Sequence, residues 1–239
     1  MRHVVVLVSS FSRMHCVIQV RGFVTESKDV DEEIVGLNQQ QLIEQVAFIV
    51  QSRLADQGAG HGYDHIQRVW ATARKLNRTC GGDSFVIELS ALLHDIGDAK
   101  FHNGKERSAE FTIEILTQLG VDEVTINHVA QVVDNISFRK RDTAEALSLE
   151  GQVVQDADRL DALGAIGIVR TVEFGAVFDQ PFYSPKGESQ KSGIGHFHEK
   201  LFKLRDLMNT DAGRLMAKSR EDFMRAFVTQ FERECTGEG

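Results

Sequence analysis

The chain has 239 residues, a formal net charge of −8 and 42% hydrophobic residues, which is typical of a globular protein with one large domain or two small ones. The acidic balance argues against a broad surface for nucleic-acid polymers, so any anionic substrate needs a local basic patch or a metal ion. Three isolated cysteines do not suggest a disulfide framework and fit a reducing compartment, so we expect a cytoplasmic protein.

The first 25 residues differ from the rest of the chain because they contain arginine and serine but no acidic residue. This composition is typical of an organellar transit peptide, which would change the expected compartment; a disordered extension or a mis-called start is the interpretation that we favour. The apolar run Val4–Val8 is too short to span a membrane, so no membrane association is expected. We treat residues 1–37 as a leader with an acidic linker and 38–236 as the folded domain.

From residue 38 onwards, apolar side chains recur with the period of amphipathic helices, and alternating strand patterns are almost absent. The sequence therefore predicts an all-α domain. The predicted helices cover residues 38–56, 65–77, 85–96, 107–119, 122–135, 148–178, 196–208 and 211–234. Asp64 with Gln67 predicts a capping box that opens the second helix at His65. Residues 179–195 contain both prolines and are predicted to form a surface loop.

The stretch from Leu92 to Asp98 places a histidine and an aspartate side by side in an apolar run. On a helix with about 100° per residue, His94, Asp95 and Asp98 fall within one arc of about 100°, opposite the apolar side chains. A buried carboxylate is costly unless it is paired, and imidazole with carboxylate is a common ligand combination for divalent cations. The alternative is a helix end with a capping histidine and two solvated aspartates.

Three chemically distinctive stretches follow one another along the chain: His65, then His94-Asp95, then the acidic group at residues 155–162. The order H…HD…D on successive helices resembles the HD-domain metal-dependent phosphohydrolases, and four flanking segments resemble their small bacterial-type branch. Those segments are His61–Trp70, Leu92–Asp98, Asp156–Ala165 and His196–Leu201. The resemblance covers residues 40–235 and implies a single HD-domain helical bundle with additional C-terminal helices.

The resemblance implies four metal ligands, which are His65, His94, Asp95 and Asp158. It also places Asp98 at the position where related hydrolases have an acidic catalytic residue. Asp161 lies one helical turn after Asp158 and competes with it for the fourth ligand position; we favour Asp158. The family often has His-Asp-x-x-His at its first histidine motif, and Gly62 stands in the place of that aspartate, so the supporting role of this carboxylate is in doubt.

Two imidazoles and two carboxylates leave open positions on an octahedral Mn²⁺, Mg²⁺ or similar divalent ion. Such an ion lowers the pKa of bound water and stabilises charge on a phosphoryl oxygen. Asp98 then orients or deprotonates the water, or protonates the leaving group. Candidate cations for the substrate phosphates are Arg68, Lys100, Lys105 and Arg159. Each of them is otherwise a solvated surface charge, and Arg159 is alternatively an ion-pair partner of Asp158.

The other histidines outside the leader have open roles. His61, four residues before His65, either lies near the metal or caps the helix. His102 and His128 fall where some HD relatives bind a second metal, but the polar surroundings of His102 and the apolar surroundings of His128 favour a single ion. His196 and His198 match the family pattern, and a packing or lid role is expected for them.

Three functions compete: a metal-dependent phosphohydrolase acting on a nucleotide, a diiron oxygenase-like variant, and a non-enzymatic regulatory HD module. The filled ligand positions favour the first. The resemblance to a nucleotide pyrophosphohydrolase branch implies cleavage of (deoxy)nucleoside triphosphates to monophosphate and pyrophosphate, with a nucleoside 5′-monophosphate phosphatase as the alternative. The loop with Lys186 and Lys191 either folds over the phosphate chain or is an idle surface loop. The sequence does not indicate the oligomeric state.

Overall fold

The computed structural model describes residues 37–55, 62–99, 102–136, 146–184 and 191–238. These residues form nine α-helices and no β-strand, so the predicted all-α fold is confirmed. The helices are α1 Gln39–Leu54, α2 Tyr63–Cys80, α3 Ser84–Leu93, α4 Ser108–Gln118, α5 Glu123–Asn135, α6 Leu149–Asp161, α7 Gly164–Val177, α8 Gly193–Glu199 and α9 Asp211–Cys235. Two 3₁₀ helices, Leu201–Lys203 and Arg205–Leu207, follow α8. Within the described ranges, no helix is both long and apolar enough to cross a membrane.

Helix α3 lies between two hydrophobic clusters and is buried on nearly all sides, as expected for a helix without a polar face. Its residues Ile87 and Ala91 belong to the cluster formed with residues of α2, α6 and α9, of which α2 and α6 contact α3 directly. Leu89 and Leu92 belong to the cluster formed with residues of α1, α4 and α5, of which α1 and α5 contact α3 directly. Each fully buried Leu or Ile side chain stabilises the fold by roughly 1.5–3 kcal/mol. The end of α3 is therefore held firmly in the interior, and the His94-Asp95 pair follows directly.

The prediction that α3 extends to Ile96 is wrong. The helix ends at Leu93, His94 is its C-cap, and the next residues form turns. The cause is Gly97, where a β-carbon would lie 2.5 Å from the backbone carbon of Arg107. Arg107 N donates to Gly97 O at 3.0 Å, so the chain folds back here to reach α4. His94, Asp95 and Asp98 thus project from a helix end and a turn, and not from one helical arc.

The predicted start of α2 is also wrong. The helix begins at Tyr63 with Gly62 as N-cap, and no side chain caps it, so Asp64 and Gln67 form no capping box. Asp64 lies in the first turn, where its negative charge interacts favourably with the helix dipole. The C-terminal end lies at Cys80, three residues beyond the predicted Asn77.

Two further predicted helices are divided in the structure. The segment 148–178 forms two helices, α6 and α7, and α7 begins at Gly164. Gly164 has a φ of +75°, a left-handed conformation that glycine adopts readily and other residues do not. The segment 196–208 does not form one helix, because α8 already ends at Glu199 and the chain continues as the two 3₁₀ helices. Helix α8 also begins at Gly193, three residues before the predicted start, so the end of the predicted surface loop 179–195 is helical and partly buried, while residues 185–190 lie outside the described ranges. The remaining predicted boundaries agree with the structure to within one or two residues.

Candidate metal centre

Four side chains from α2, the end of α3 and α6 converge on one point. His65 lies in the first turn of α2, His94 caps α3, Asp95 lies in the following turn, and Asp158 lies in the last turns of α6. Because α2 packs against both α3 and α6, residues far apart in sequence become neighbours. The expectation that three helical segments bring His65 close to Asp95 is met, with His65 Nε2 3.6 Å from Asp95 Oδ2.

The distances between the side-chain atoms suit a small cation at their centre. The two Nε2 atoms of His65 and His94 are 3.3 Å apart. Asp158 Oδ1 lies 3.4 Å from the first and 3.9 Å from the second, and Asp95 Oδ2 lies 3.7 Å from His94 Nε2. Neighbouring ligands on an ion with bonds of about 2.1 Å lie roughly 3.0–3.4 Å apart. The atoms of His65, His94 and Asp95 all lie within 4.8 Å of one another.

The hydrogen bonds of the two imidazoles explain why this point attracts a cation. His94 Nδ1 lies 2.9 Å from the carbonyl oxygen of Ala91, and His65 Nδ1 lies 2.7 Å from Asp161 Oδ2. Both partners only accept, so each Nδ1 carries the hydrogen and donates it. In the neutral rings both Nε2 atoms then present lone pairs to each other and to two carboxylates. A cation at the centre removes this repulsion, so the residues fit a divalent metal ion.

Asp161 fixes this arrangement from the outer side of His65. Its carboxylate accepts from Arg68 Nε at 2.7 Å, from Arg68 Nη2 at 3.0 Å and from Arg170 Nη1 at 2.6 Å, in addition to His65 Nδ1. The carboxylate is 4% exposed, so these contacts replace its hydration. The structure therefore brings Asp158, and not its competitor Asp161, next to His65 Nε2, the nitrogen that lies near His94 and Asp95. Sequence reasoning missed Arg170.

The charges around His65 shift the pKa values of the centre. Burial opposes a charge on this imidazole, but hydrogen bonds with Asp158 and Asp161 and the nearby carboxylates raise its pKa to about 9. For Asp161, burial favours the protonated form, yet the hydrogen bonds with His65 and Arg68 hold the carboxyl pKa well below its usual range. The carboxylates around His65 therefore favour a positive charge at this point.

The candidate cations have diverse positions. Arg68 is bound to Asp161, as described above. Arg159 donates to the carbonyl oxygen of Leu207 and so connects α6 to the segment before α9. Lys105 is exposed in the segment after Asp98, and Lys100 lies outside the described residues. Among the described residues, the predicted phosphate-binding side chains therefore do not form one patch.

The remaining predicted residues lie at different distances from the centre along the chain. Asp98 lies in the turn after Asp95, with its backbone N 3.2 Å from Asp95 O. His128 Nε2 lies 3.0 Å from Ser148 Oγ at the start of α6, away from the two imidazoles. His61 lies outside the described residues. His102 packs edge-on against Phe111, and His198 packs edge-on against Phe202.

An all-α fold with two histidines and two aspartates around one point that suits a cation is typical of metal-dependent hydrolases. Residues 62–163 match the HD domain family. The chain is 37% identical to YpgQ of Bacillus subtilis over an alignment of 196 residues. This alignment covers 81% of this chain and 94% of YpgQ. A second relative is a deoxyguanosinetriphosphate triphosphohydrolase-like protein of Clostridium tetani, which is 30% identical over 112 residues. That alignment covers 40% of this chain and 32% of the relative.

Solved structures show the same fold. A crystal structure of an HD-superfamily hydrolase from Bacillus thuringiensis has 38% identity and a TM-score of 0.71, covering 83% of this chain and 99% of that one. A crystal structure of Bacillus subtilis YpgQ in complex with ADP has 33% identity and a TM-score of 0.71, with coverage of 82% and 96%. The chain belongs to the HD superfamily of hydrolases and is a metal-dependent phosphohydrolase, which confirms the resemblance found in the sequence.

Proposed function

We propose that the chain hydrolyses (deoxy)nucleoside triphosphates to the monophosphate and pyrophosphate, with Mn²⁺ or Mg²⁺ held by His65, His94, Asp95 and Asp158. The observation that carries this proposal is the convergence of two imidazole lone pairs and two carboxylates on one point. When bound there, a divalent ion stabilises charge on a phosphoryl oxygen and makes water easier to deprotonate. The nucleotide class is supported by the ADP complex of YpgQ and by the name of the Clostridium tetani relative.

Each residue of the centre has a separate role in the proposed reaction. His65 and His94 are 2% and 7% exposed and form the buried side of the centre, away from solvent. The side chains of Asp95 and Asp158 are 22% and 37% exposed, so the centre opens to the substrate on their side. Asp98, in the adjoining turn, is the proposed general base, which takes a proton from water as its oxygen attacks the α-phosphorus. The bond from that phosphorus to the bridging oxygen breaks, and pyrophosphate leaves.

A product screen tests the substrate and the bond that is cut. Purified protein is incubated with nucleoside mono-, di- and triphosphates and Mn²⁺, Mg²⁺ or Co²⁺, and pyrophosphate and inorganic phosphate are measured separately. The proposal predicts pyrophosphate from triphosphates, and no product with the Asp95→Ala protein. Inorganic phosphate from monophosphates alone would support the 5′-monophosphate phosphatase instead, and no product with any of the three ions would overturn the nucleotide assignment.

Metal analysis separates this function from the diiron alternative. The proposal predicts about one bound Mn²⁺ per chain after loading and dialysis, because the described structure brings only His65 and His94 together as imidazole ligands. His128 is engaged with Ser148 and Glu150 at the start of α6. Two tightly bound irons per chain, with the oxidised absorption of a diiron centre, would contradict the single-ion assignment.

A further inference from the structure

A cavity of about 370 Å³ lies between α7 and α8, and we call it the α7–α8 cavity. Its volume falls within the range of about 300–1,000 Å³ that is typical of small-molecule sites. The side chains that determine its chemistry are Arg170, Thr171, Phe174, Gln180, His196 and Lys200. None of the four residues of the candidate metal centre is among the described residues that line the cavity. Arg170 connects the two sites, because it contacts Asp161.

The chemistry of the wall favours an anion. Arg170 and Lys200 are the positively charged side chains of the wall, and Arg170 is at the same time ion-paired with Asp161 behind it. None of the described residues that line the cavity is acidic, although the whole chain has a net charge of −8. Burial, together with the charge of Lys200, lowers the pKa of His196, so this imidazole is a neutral hydrogen-bonding group. Guanidinium and ammonium groups are the side chains that most often bind phosphate oxygens. Phe174 adds an apolar surface.

Close backbone contacts hold the cavity wall in place. A β-carbon at Gly167 would lie 2.2 Å from the carbonyl oxygen of Ala162, and one at Gly175 would lie 2.6 Å from that of Gln180. Both glycines therefore permit contacts that a larger residue would break. Since Gly167, Ala162, Gly175 and Gln180 all line the cavity, its shape is set by packed backbone and does not depend on a bound ligand.

Arg170 connects the cavity to the metal centre. Its Nη1 donates to Asp161 Oδ2 at 2.6 Å and lies 3.3 Å from His65 Nδ1. The metal-facing nitrogen of His65 is on the opposite side of the same ring. The His65 ring therefore lies between the proposed cation-binding point and a residue of the cavity wall.

We propose that the α7–α8 cavity binds phosphate groups of a nucleotide, with Lys200 and Arg170 as the cationic contacts. The identity of the ligand as a nucleotide rests on the proposed function, whereas the binding of a phosphate group does not. The phosphates come either from the substrate itself, as the part released as pyrophosphate, or from a second nucleotide that binds beside the active site.

Titration of the full-length chain with pyrophosphate tests the cavity independently of catalysis. Isothermal titration is performed without divalent metal, so that pyrophosphate cannot bind through an ion at the metal centre, and is repeated with Mn²⁺. The Lys200→Gln protein is expected to bind pyrophosphate roughly tenfold more weakly, as for the loss of one hydrogen bond to a charged group, and Lys200→Glu more weakly still. Lys203→Gln is the matched control, because Lys203 is exposed three residues away and does not line the cavity.

Equal affinities in the wild-type, Lys200→Gln and Lys203→Gln proteins, or no binding of pyrophosphate by the wild-type protein, would overturn the proposal. Steady-state kinetics then identify the source of the phosphates. A higher KM for the triphosphate in Lys200→Gln, with kcat within about twofold, assigns the cavity to the substrate. An unchanged KM with non-competitive effects of pyrophosphate assigns it to a second nucleotide. The titration measures pyrophosphate binding without turnover, so its result stands even if the product screen shows no hydrolysis. The proposed cavity site and the proposed activity can therefore be refuted independently.

Discussion

Replacing Asp161 with asparagine tests whether the outer side of His65 controls the metal centre. The carboxylate accepts three hydrogen bonds on Oδ2, from His65, Arg170 and Arg68, and one on Oδ1 from Arg68 Nε. An asparagine keeps the shape but has one acceptor oxygen. If that oxygen faces the three donors, the amide NH₂ must face Arg68 Nε, so a hydrogen bond becomes a contact between two donors.

The change also removes the negative charge that makes His65 a strong ligand. Two guanidinium groups then remain beside its Nδ1–H without a compensating anion. Mutation of such supporting groups typically lowers metal affinity by about 10- to 100-fold, which corresponds to roughly 1.4–2.7 kcal/mol. We expect Asp161→Asn to fall in this range for Mn²⁺, with the fold retained.

Asp156→Asn is the matched control, because it is the same change on the same helix. Asp156 is fully buried, but it accepts from the backbone of Asn209 and Thr210 and does not contact the metal centre. Mn²⁺ affinity is measured by titration for both proteins and thermal unfolding by circular dichroism. The reasoning is refuted if Asp161→Asn binds Mn²⁺ as tightly as the wild type, or if Asp156→Asn weakens binding equally.

Further predictions concern the proposed metal ligands and other acidic residues of the fold. His94→Ala should lose both bound metal and activity, whereas Asp98→Ala should keep the metal and lose most turnover; normal turnover of the latter protein would contradict the proton-transfer role. Asp156→Ala should lower stability by about 2–4 kcal/mol in denaturant unfolding, because four donors of Asn209 and Thr210, the two of Thr210 buried and the two of Asn209 partly buried, lose this acceptor. Hydrogen bonds from the backbone and side chain of Thr125 lower the pKa of Asp122, so its stabilisation is present above the pKa of the unfolded carboxyl and is lost as the pH falls through the lower folded value. Thermal unfolding of Asp122→Asn should therefore change less with acidification than that of the wild type. Chelation should lower the melting temperature of the metal-loaded protein, and an unchanged temperature would contradict a metal that binds only the folded state.

Helical periodicity and the H…HD…D order were sufficient to predict the fold class and the residues that meet at the centre. Apolar stripes specify which face of each helix is buried, and the buried faces of α2, α3 and α6 bring His65, His94 and Asp158 together. The end of α3 was not predictable from these stripes, because Ile96 continues the apolar pattern. What ends the helix is a close approach between Gly97 and the backbone of residue 107, which is a long-range contact.

Arg170 shows why part of the centre was missed. On a continuous helix over 148–178, Arg170 would lie nine residues after Asp161, about 180° around the axis and about 13.5 Å along it. The two side chains could not then meet. The left-handed conformation of Gly164, with φ of +75°, folds α7 back on α6 and brings Arg170 Nη1 to 2.6 Å from Asp161. A single glycine, unremarkable in the sequence pattern, thus determines this contact.

The two candidate aspartates of α6 illustrate the same limit. Asp158 and Asp161 are one helical turn apart and about 60° apart around the axis, so both face α2. His65 lies between them, with Nε2 3.4 Å from Asp158 and Nδ1 2.7 Å from Asp161. The spacing of the two carboxylates along α6 matches the two nitrogens of one imidazole, so each aspartate serves a different nitrogen. Which of the two aspartates lies beside His65 Nε2 depends on the orientation of the imidazole ring. If the ring were turned over, its Nδ1 would lose the hydrogen bond to Asp161, which also binds Arg68 and Arg170. The spacing of residues in the sequence does not specify this orientation.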